Sequence, residues 1–202
     1  NYTAAIDNLK TSLDTPSNNE LSDKTQFWLG QSYYENGNID NSFKSLNIYL
    51  SNPDKEYQFE SQYLVAYHEI ERKEYDESMA SLEAAIQSFD VKSDDKNLFD
   101  DAIVRLADLE LVRNNYDAAI EYYDLAIENK AVETDYILYQ KALIYGVNNQ
   151  IIEKLTTLEK LVKEFALSSY RDDAFFEIGE TLIALGKNNE AYQIYNSVII
   201  EF

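Results

Sequence analysis

Phe27-Trp28-Leu29-Gly30-Gln31-Ser32-Tyr33-Tyr34-Glu35-Asn36-Gly37-Asn38-Ile39-Asp40-Asn41-Ser42 is the stretch that decides how the whole chain is read. An apolar helix carries a small residue, Gly30, near its middle. The polar turn Glu35-Asn36-Gly37-Asn38 follows, and Gly37 sits where a helix must stop and can adopt positive φ. Ile39 then opens a second helix, with small Ser42 three places on.

The same device returns outward in both directions. Ala66 is followed by the turn Arg72-Lys73-Glu74, then Tyr75 and Ser78. Ala107 is followed by Arg113-Asn114-Asn115, then Tyr116 and Ala119. Ala142 is followed by Val147-Asn148-Asn149-Gln150, then Ile151. Ile178-Gly179 is followed by Gly186-Lys187, then Asn188 and Ala191, and a half-copy opens the chain at Tyr2 and Ala5. The residues opening each second helix, Tyr2, Ile39, Tyr75, Tyr116, Ile151 and Asn188, are spaced by 37, 36, 41, 35 and 37. The long interval has a visible cause: Val91-Lys92-Ser93-Asp94-Asp95-Lys96-Asn97 is a polar insertion on an inter-repeat loop.

Within each copy the apolar period is helical, as in Ile103, Leu106, Ala107 and Leu111. The pattern predicts a lone helix at about 2–14 and helix pairs at about 21–36/39–51, 56–73/75–89, 98–113/116–129, 134–147/150–164 and 169–185/188–202. Ser17-Asn18-Asn19-Glu20 has the form of a capping box. Pro53 lies between copies, where it interrupts no helix. A near-constant period built of two helices is a helical solenoid, so the expected fold is all-α.

Composition excludes several function classes. The 202 residues carry 17 Lys+Arg against 37 Asp+Glu, a formal charge of −20, with one His and no Cys. Without cysteine there is no disulfide scaffold and no thiolate zinc site. The charge repels a phosphate backbone, which argues against nucleic acid. No stretch is apolar enough to span a bilayer. Five Gly and two Pro are too few for a turn-rich β fold, while 45% hydrophobic residues suffice for a core.

Chemistry-bearing constellations are sparse. His68 has no second His or Cys to share a metal, and reads as a partly buried helix residue. Asp94-Asp95 and Asp100-Asp101 flank the insertion without calcium-loop spacing, and read as a solvated acidic loop. There is no Gly-rich phosphate loop and no nucleophile elbow. The chain is expected to be non-enzymatic and to need no cofactor or metal.

These motifs resemble the tetratricopeptide repeat (TPR) family, whose unit of about 34 residues pairs a Trp/Leu/Gly/Tyr first helix with an Ala/Phe/Ala/Pro second helix. Leu29-Gly30, Tyr33, Gly37 and Leu46 match one unit; Ala107, Tyr116, Ala119, Tyr123 and Ala126 another; Ile178-Gly179, Gly186, Ala191 and Tyr195 a third. Ser78 and Lys154 replace the usual small Ala in the other two. The resemblance implies one right-handed α-solenoid of antiparallel helix pairs over 1–202: a half repeat at 1–16 and repeats at about 21–54, 56–90, 98–131, 134–167 and 169–202. The period near 36 and the string Phe27–Tyr34 are similar to the longer-period repeats of bacterial envelope TPR proteins, the Tol-Pal coordinator and outer-membrane assembly lipoprotein among them. That similarity favours a periplasmic or cell-envelope location. The ends show no polar capping repeat, so the chain reads as an internal fragment of a longer array.

The resemblance also implies a site. In TPR arrays the first helices line a concave face, and side chains one or two places from the small packing residue point into it. Transferred by position, that face holds Phe27, Trp28, Gln31, Tyr34, Tyr63, Leu64, Tyr67, Arg105, Asp108, Tyr139 and Glu177. Trp28, Tyr34, Tyr63 and Tyr67 are expected to be exposed there, with Trp28 joined to Tyr34 and Tyr63 in one ligand surface. The partner-binding set is then Trp28, Gln31, Tyr34, Tyr63, Tyr67, Arg105, Asp108 and Tyr139. Phe27 with Gln31, and Tyr63 with Tyr67, stand where a carboxylate clamp needs Lys and Asn, so a bound C-terminal carboxylate is disfavoured. The expected function is a protein- or peptide-binding scaffold whose partner presents basic residues. The rival readings are a structural spacer or oligomerisation segment, and a regulatory segment of a larger sensor or enzyme. The oligomeric state is left open.

Overall fold

The computed structural model of the chain describes residues 1–15, 19–52 and 56–201. The described residues form eleven α-helices and no strand: α1 (Tyr2–Leu13), α2 (Asn19–Glu35), α3 (Ile39–Leu50), α4 (Gln58–Glu71), α5 (Tyr75–Ser88), α6 (Lys96–Val112), α7 (Tyr116–Glu128), α8 (Thr134–Val147), α9 (Ile151–Glu164), α10 (Arg171–Ala184) and α11 (Asn188–Glu201). The spans agree with the sequence reading to within two residues at each end. The capping box at Ser17–Glu20 reaches outside the described residues, as does Pro53.

The chain forms two compact units, Asn1–Leu109 and Glu110–Phe202. In the first, α2 packs on α3 and α4 on α5, while α1 lies on α2 and α3 on α4. In the second, α8 packs on α9 and α10 on α11, while α7 lies on α8 and α9 on α10. Within each unit, then, the paired helices bury one stripe against each other, and successive hairpins meet through α3 on α4 and through α9 on α10.

Small residues set the approach of the paired helices. A Cβ on Gly30 would lie 2.7 Å from Leu46 Cγ, and Leu46 is fully buried. Gly179 accommodates the Tyr195 ring in the same way. The two weaker copies solve the problem differently. Ser78 is buried and donates its hydroxyl to the Ala66 carbonyl at 3.0 Å, so the polar atom is satisfied inside the hairpin. At Lys154 the partner helix supplies the space: Gly146 faces the Lys154 stem, with its Cβ position 3.3 Å from Cδ.

The turns share one backbone design. Gly37 and Gly186 have φ of 73° and 75°, as the sequence predicts. The other turns reach the same region without glycine: Lys73 (61°), Asn114 (59°), Lys130 (64°) and Asn149 (57°). At each, the left-handed residue donates to the carbonyl three back, and the next residue to the carbonyl five back, as in Gly37→Tyr34 (2.9 Å) and Asn38→Tyr33 (2.8 Å). This paired pattern satisfies the last helical carbonyls and reverses the chain.

The second unit's core is Leu138, Ala142, Leu158, Leu161, Ala174, Ile178, Leu182 and Ala191. In the first, Ile6, Leu29 and Tyr33 bury α1 against α2, and Leu46, Tyr49, Phe59, Ala66, Leu82 and Ile103 are wholly or almost wholly buried. Acidic residues stand in most first turns, including Asp40, Asp76 and Glu77, Asp117, Asp135, Glu153, Asp172 and Asp173. Part of the acidic excess thus compensates helix N-termini.

Candidate functional site

In the first unit, α2 presents Trp28, Gln31 and Tyr34, and α4 presents Tyr63 and Tyr67. Trp28 is 46% exposed. Its indole is held edge-on by Phe27 (5.0 Å) and Tyr57 (5.3 Å), and those two rings stack on each other at 4.2 Å and 2°. Phe27 itself is buried at 3%. The half-exposed indole therefore rests on a fixed aromatic base rather than projecting freely. Gln31 and Tyr34 are half-buried, and the Tyr34 ring lies 5.7 Å from the His68 ring.

Tyr63 departs from the expected exposure: it is buried at 8%, and Leu64 at 7%. The cause is Asp101 on α6. Its Oδ2 accepts the hydroxyls of Tyr63 (2.8 Å) and Tyr67 (2.7 Å), whose rings lie 5.0 Å apart. Its Oδ1 accepts from Arg105 Nε (3.3 Å) and Nη2 (3.2 Å), and Arg105 Nη1 donates to Asp108 (2.7 Å). Burial and the Asp101 contacts push the Tyr63 phenol far up. Tyr67 is pushed up to about 12, first by burial. Both stay protonated donors at neutral pH.

Arg105 and Asp108 thus join Tyr63 and Tyr67 through Asp101, which stands on a helix and not in the acidic loop expected from the sequence. Asp100 and Asp101 stand on α6, and Asp100 is buried against Lys96 Nζ at 2.5 Å. The spacing Asp101–Arg105–Asp108 along a helix was visible as an ion-pair pattern, but its coupling to α4 was not. The rings in contact with Trp28 are Phe27 and Tyr57.

His68 is completely buried, deeper than expected, with Nε2 2.9 Å from Ser42 Oγ and Nδ1 without a hydrogen-bond partner. Burial, then the charge of Arg72, lowers its pKa to about 4. It is a neutral core residue tying α4 to α3.

In the second unit, α8 presents Tyr139, half-buried and stacked on Tyr170 at 5.4 Å. Glu177 on α10 is paired with Lys154 Nζ at 2.6 Å. The residues transferred from the resemblance therefore fall into three settings: an aromatic perch at Trp28, a closed polar network around Asp101, and a tyrosine stack at Tyr139. Among the described residues, no helix is long and apolar enough to cross a membrane.

The family model for the tetratricopeptide repeat matches residues 24–54 and 173–202. No curated protein matches the chain by sequence. Solved structures share its fold at low identity. MamA from Desulfovibrio magneticus RS-1 is 13% identical with a TM-score of 0.68, covering 89% of this chain and 94% of that one. YrrB, described as a TPR protein with an unusual peptide-binding site, is 12% identical with a TM-score of 0.70, covering 96% and 91%. BtubC from P. vanneervenii is 11% identical with a TM-score of 0.70, covering 99% and 87%. The family model thus matches one stretch near each end of the chain, and the helix-pair fold is shared with these structures.

Proposed function

We propose that this chain is a non-enzymatic scaffold that holds a peptide or protein partner on the exposed faces of its first helices, the surface that forms the concave groove in TPR arrays. The observation that carries the reading is Trp28. A large aromatic left 46% exposed on an acidic protein, and braced by Phe27 and Tyr57, is built as an anchor for a partner. Gln31 and Tyr34, both half-buried, lie further along α2, and Tyr67, Arg105 and Asp108 add polar groups in the same unit. YrrB, with its peptide-binding site, shows that this fold can serve such a role. The partner presents basic residues, complementary to a charge of −20. The reading extends to the bacterial cell envelope, supported by the repeat length and the string Phe27–Tyr34.

The test is Trp28→Ala, measured as binding to a library of basic peptides and as melting temperature. The expected result is a binding loss on the order of 2 kcal/mol or more, with the melting temperature nearly unchanged and affinity falling as salt rises. A collapse of the melting temperature, or full binding by the variant, overturns the anchor.

A further inference from the structure

Tyr170, which precedes α10, stands against two tyrosines of α8. Its ring centroid is 5.4 Å from Tyr139 at 23° and 5.6 Å from Tyr136 at 52°. All three are half-buried, so the cluster keeps an open aromatic face. Asp172 and Asp173 follow in the first turn of α10, both exposed, with Glu177 one turn on. Burial first, then the charges of Asp173, Glu177 and Asp172, raise the Tyr139 phenol above its ordinary pKa, so these carboxylates act on that ring.

The charge at this face is only partly neutralised from within. Glu177 is paired with Lys154, but Asp172 and Asp173 have no ion-pair partner among the described residues. The adjacent cation, Arg171, donates to the Val162 carbonyl at 3.2 Å and lies over the Phe175 ring at 5.0 Å. First-turn carboxylates also compensate a helix dipole, as at α5 and α7. At α10 they additionally flank an aromatic face.

Aromatic faces attract cations, and carboxylates pair with them; a planar guanidinium uses both at once, stacking on a ring while its fork meets oxygen. We propose that Tyr139, Tyr170, Asp172 and Asp173 form a subsite for an arginine side chain of a peptide partner. The proposal rests on the scaffold reading and adds to it a defined place in the second unit and a defined side chain.

The probe is a blocked tetra-arginine peptide, with its tetra-citrulline analogue as the neutral isostere, titrated calorimetrically into the intact chain. Asp172→Asn with Asp173→Asn should weaken arginine-peptide binding by roughly tenfold or more, and Tyr139→Leu by a similar factor. Glu153→Gln with Glu159→Gln changes the net charge equally in the same unit, and should weaken it less than about threefold. Melting temperatures establish that each variant is folded, and Tyr139→Phe, which keeps the ring, should bind like the parent. Equal weakening by both charge pairs, equal binding of the citrulline peptide, or no binding by the parent chain overturns the subsite. The two readings fail separately. If Trp28→Ala abolishes peptide binding while the Asp172/Asp173 variant binds fully, the scaffold stands and the subsite falls. If only the Asp172/Asp173 variant loses binding, the subsite stands and the Trp28 anchor falls.

Discussion

Asp101 in the first unit and Asp173 in the second are carboxylates near tyrosines, yet they have opposite surroundings. Asp101 accepts two phenol hydroxyls and an arginine, and so closes α4 onto α6. Asp173 stands exposed in the first turn of α10 without an ion pair among the described residues. Net charge does not explain the contrast. The first unit has 9 Lys and Arg against 21 Asp and Glu, a balance of −12, and the second 8 against 16, or −8. The more acidic unit holds the internally paired carboxylate, and the less acidic one leaves carboxylates open beside its aromatic face. Local geometry, not total charge, separates a structural carboxylate from one free to meet a partner.

The largest way to sharpen this contrast is pH, because the chain's one histidine lies in the first unit. Burial and Arg72 hold His68 near 4 in the folded state, below the ordinary 6.5. The unfolded chain then binds a proton that the folded one refuses. The stability His68 supports is fully present above about pH 6.5 and is lost as pH falls toward about 4, by roughly 3 kcal/mol. Glu60 and Glu69, raised by burial, act oppositely: their contribution fades as pH rises past the ordinary 4.5. Comparison with His68→Gln isolates the histidine. The urea midpoint of the parent should fall relative to the variant between pH 7 and 4.5; a constant gap would sink the assignment.

Next in size is the carboxylate pair itself. Asp101→Ala leaves the Tyr63 hydroxyl buried without its acceptor and should cost about 1–3 kcal/mol. Asp173→Ala should stay within about 0.5 kcal/mol. Equal costs in denaturant melts would erase the distinction between the two sites.

The packing glycines test the same units at the level of the core. Gly30→Ala drives a methyl into fully buried Leu46, which has no room to yield, and should cost about 1–2 kcal/mol net of the helix-propensity gain. Gly179→Ala meets Tyr195, half-buried and tethered through its hydroxyl to exposed Glu180 at 2.8 Å, so the ring can move and the cost should be smaller. A larger melting-temperature loss for Gly179→Ala than for Gly30→Ala would reverse the ranking.

The smallest expected effect is a gain. Lys73 occupies the left-handed region at φ 61°, where Gly37 and Gly186 close the equivalent turns. Lys73→Gly should stabilise the first unit by up to about 1 kcal/mol, and Asn149→Gly the second by less, since Asn tolerates that region better. A loss at Lys73 in thermal melts would show that its side chain contributes more than its backbone strain costs.

The repeat, its helices and the close approaches at Gly30 and Gly179 were legible in the residues, while the one at Gly146, opposite Lys154, was not. Period, turn polarity and a small residue at mid-helix are local signals, repeated along the chain, and repetition turns weak signals into a strong one. Even the glycine turns were readable, because positive φ has a residue preference. The turns at Lys73, Asn114, Lys130 and Asn149 used the same backbone with less favoured residues, so composition alone did not mark their geometry. The site was legible only as far as the helix face. Successive side chains turn about 100° around a helix, which separates Trp28 from Leu29 but does not say what stands opposite. Burial of Tyr63, support of Trp28 by Tyr57, and pairing of Asp101 with two tyrosines all depend on residues some 29 to 38 positions away. Those contacts exist only once neighbouring hairpins stack. The chain's own periodicity therefore determined which side each residue faces, and tertiary packing alone decided which of those faces stayed open, because exposure is a property of the neighbour as much as of the residue.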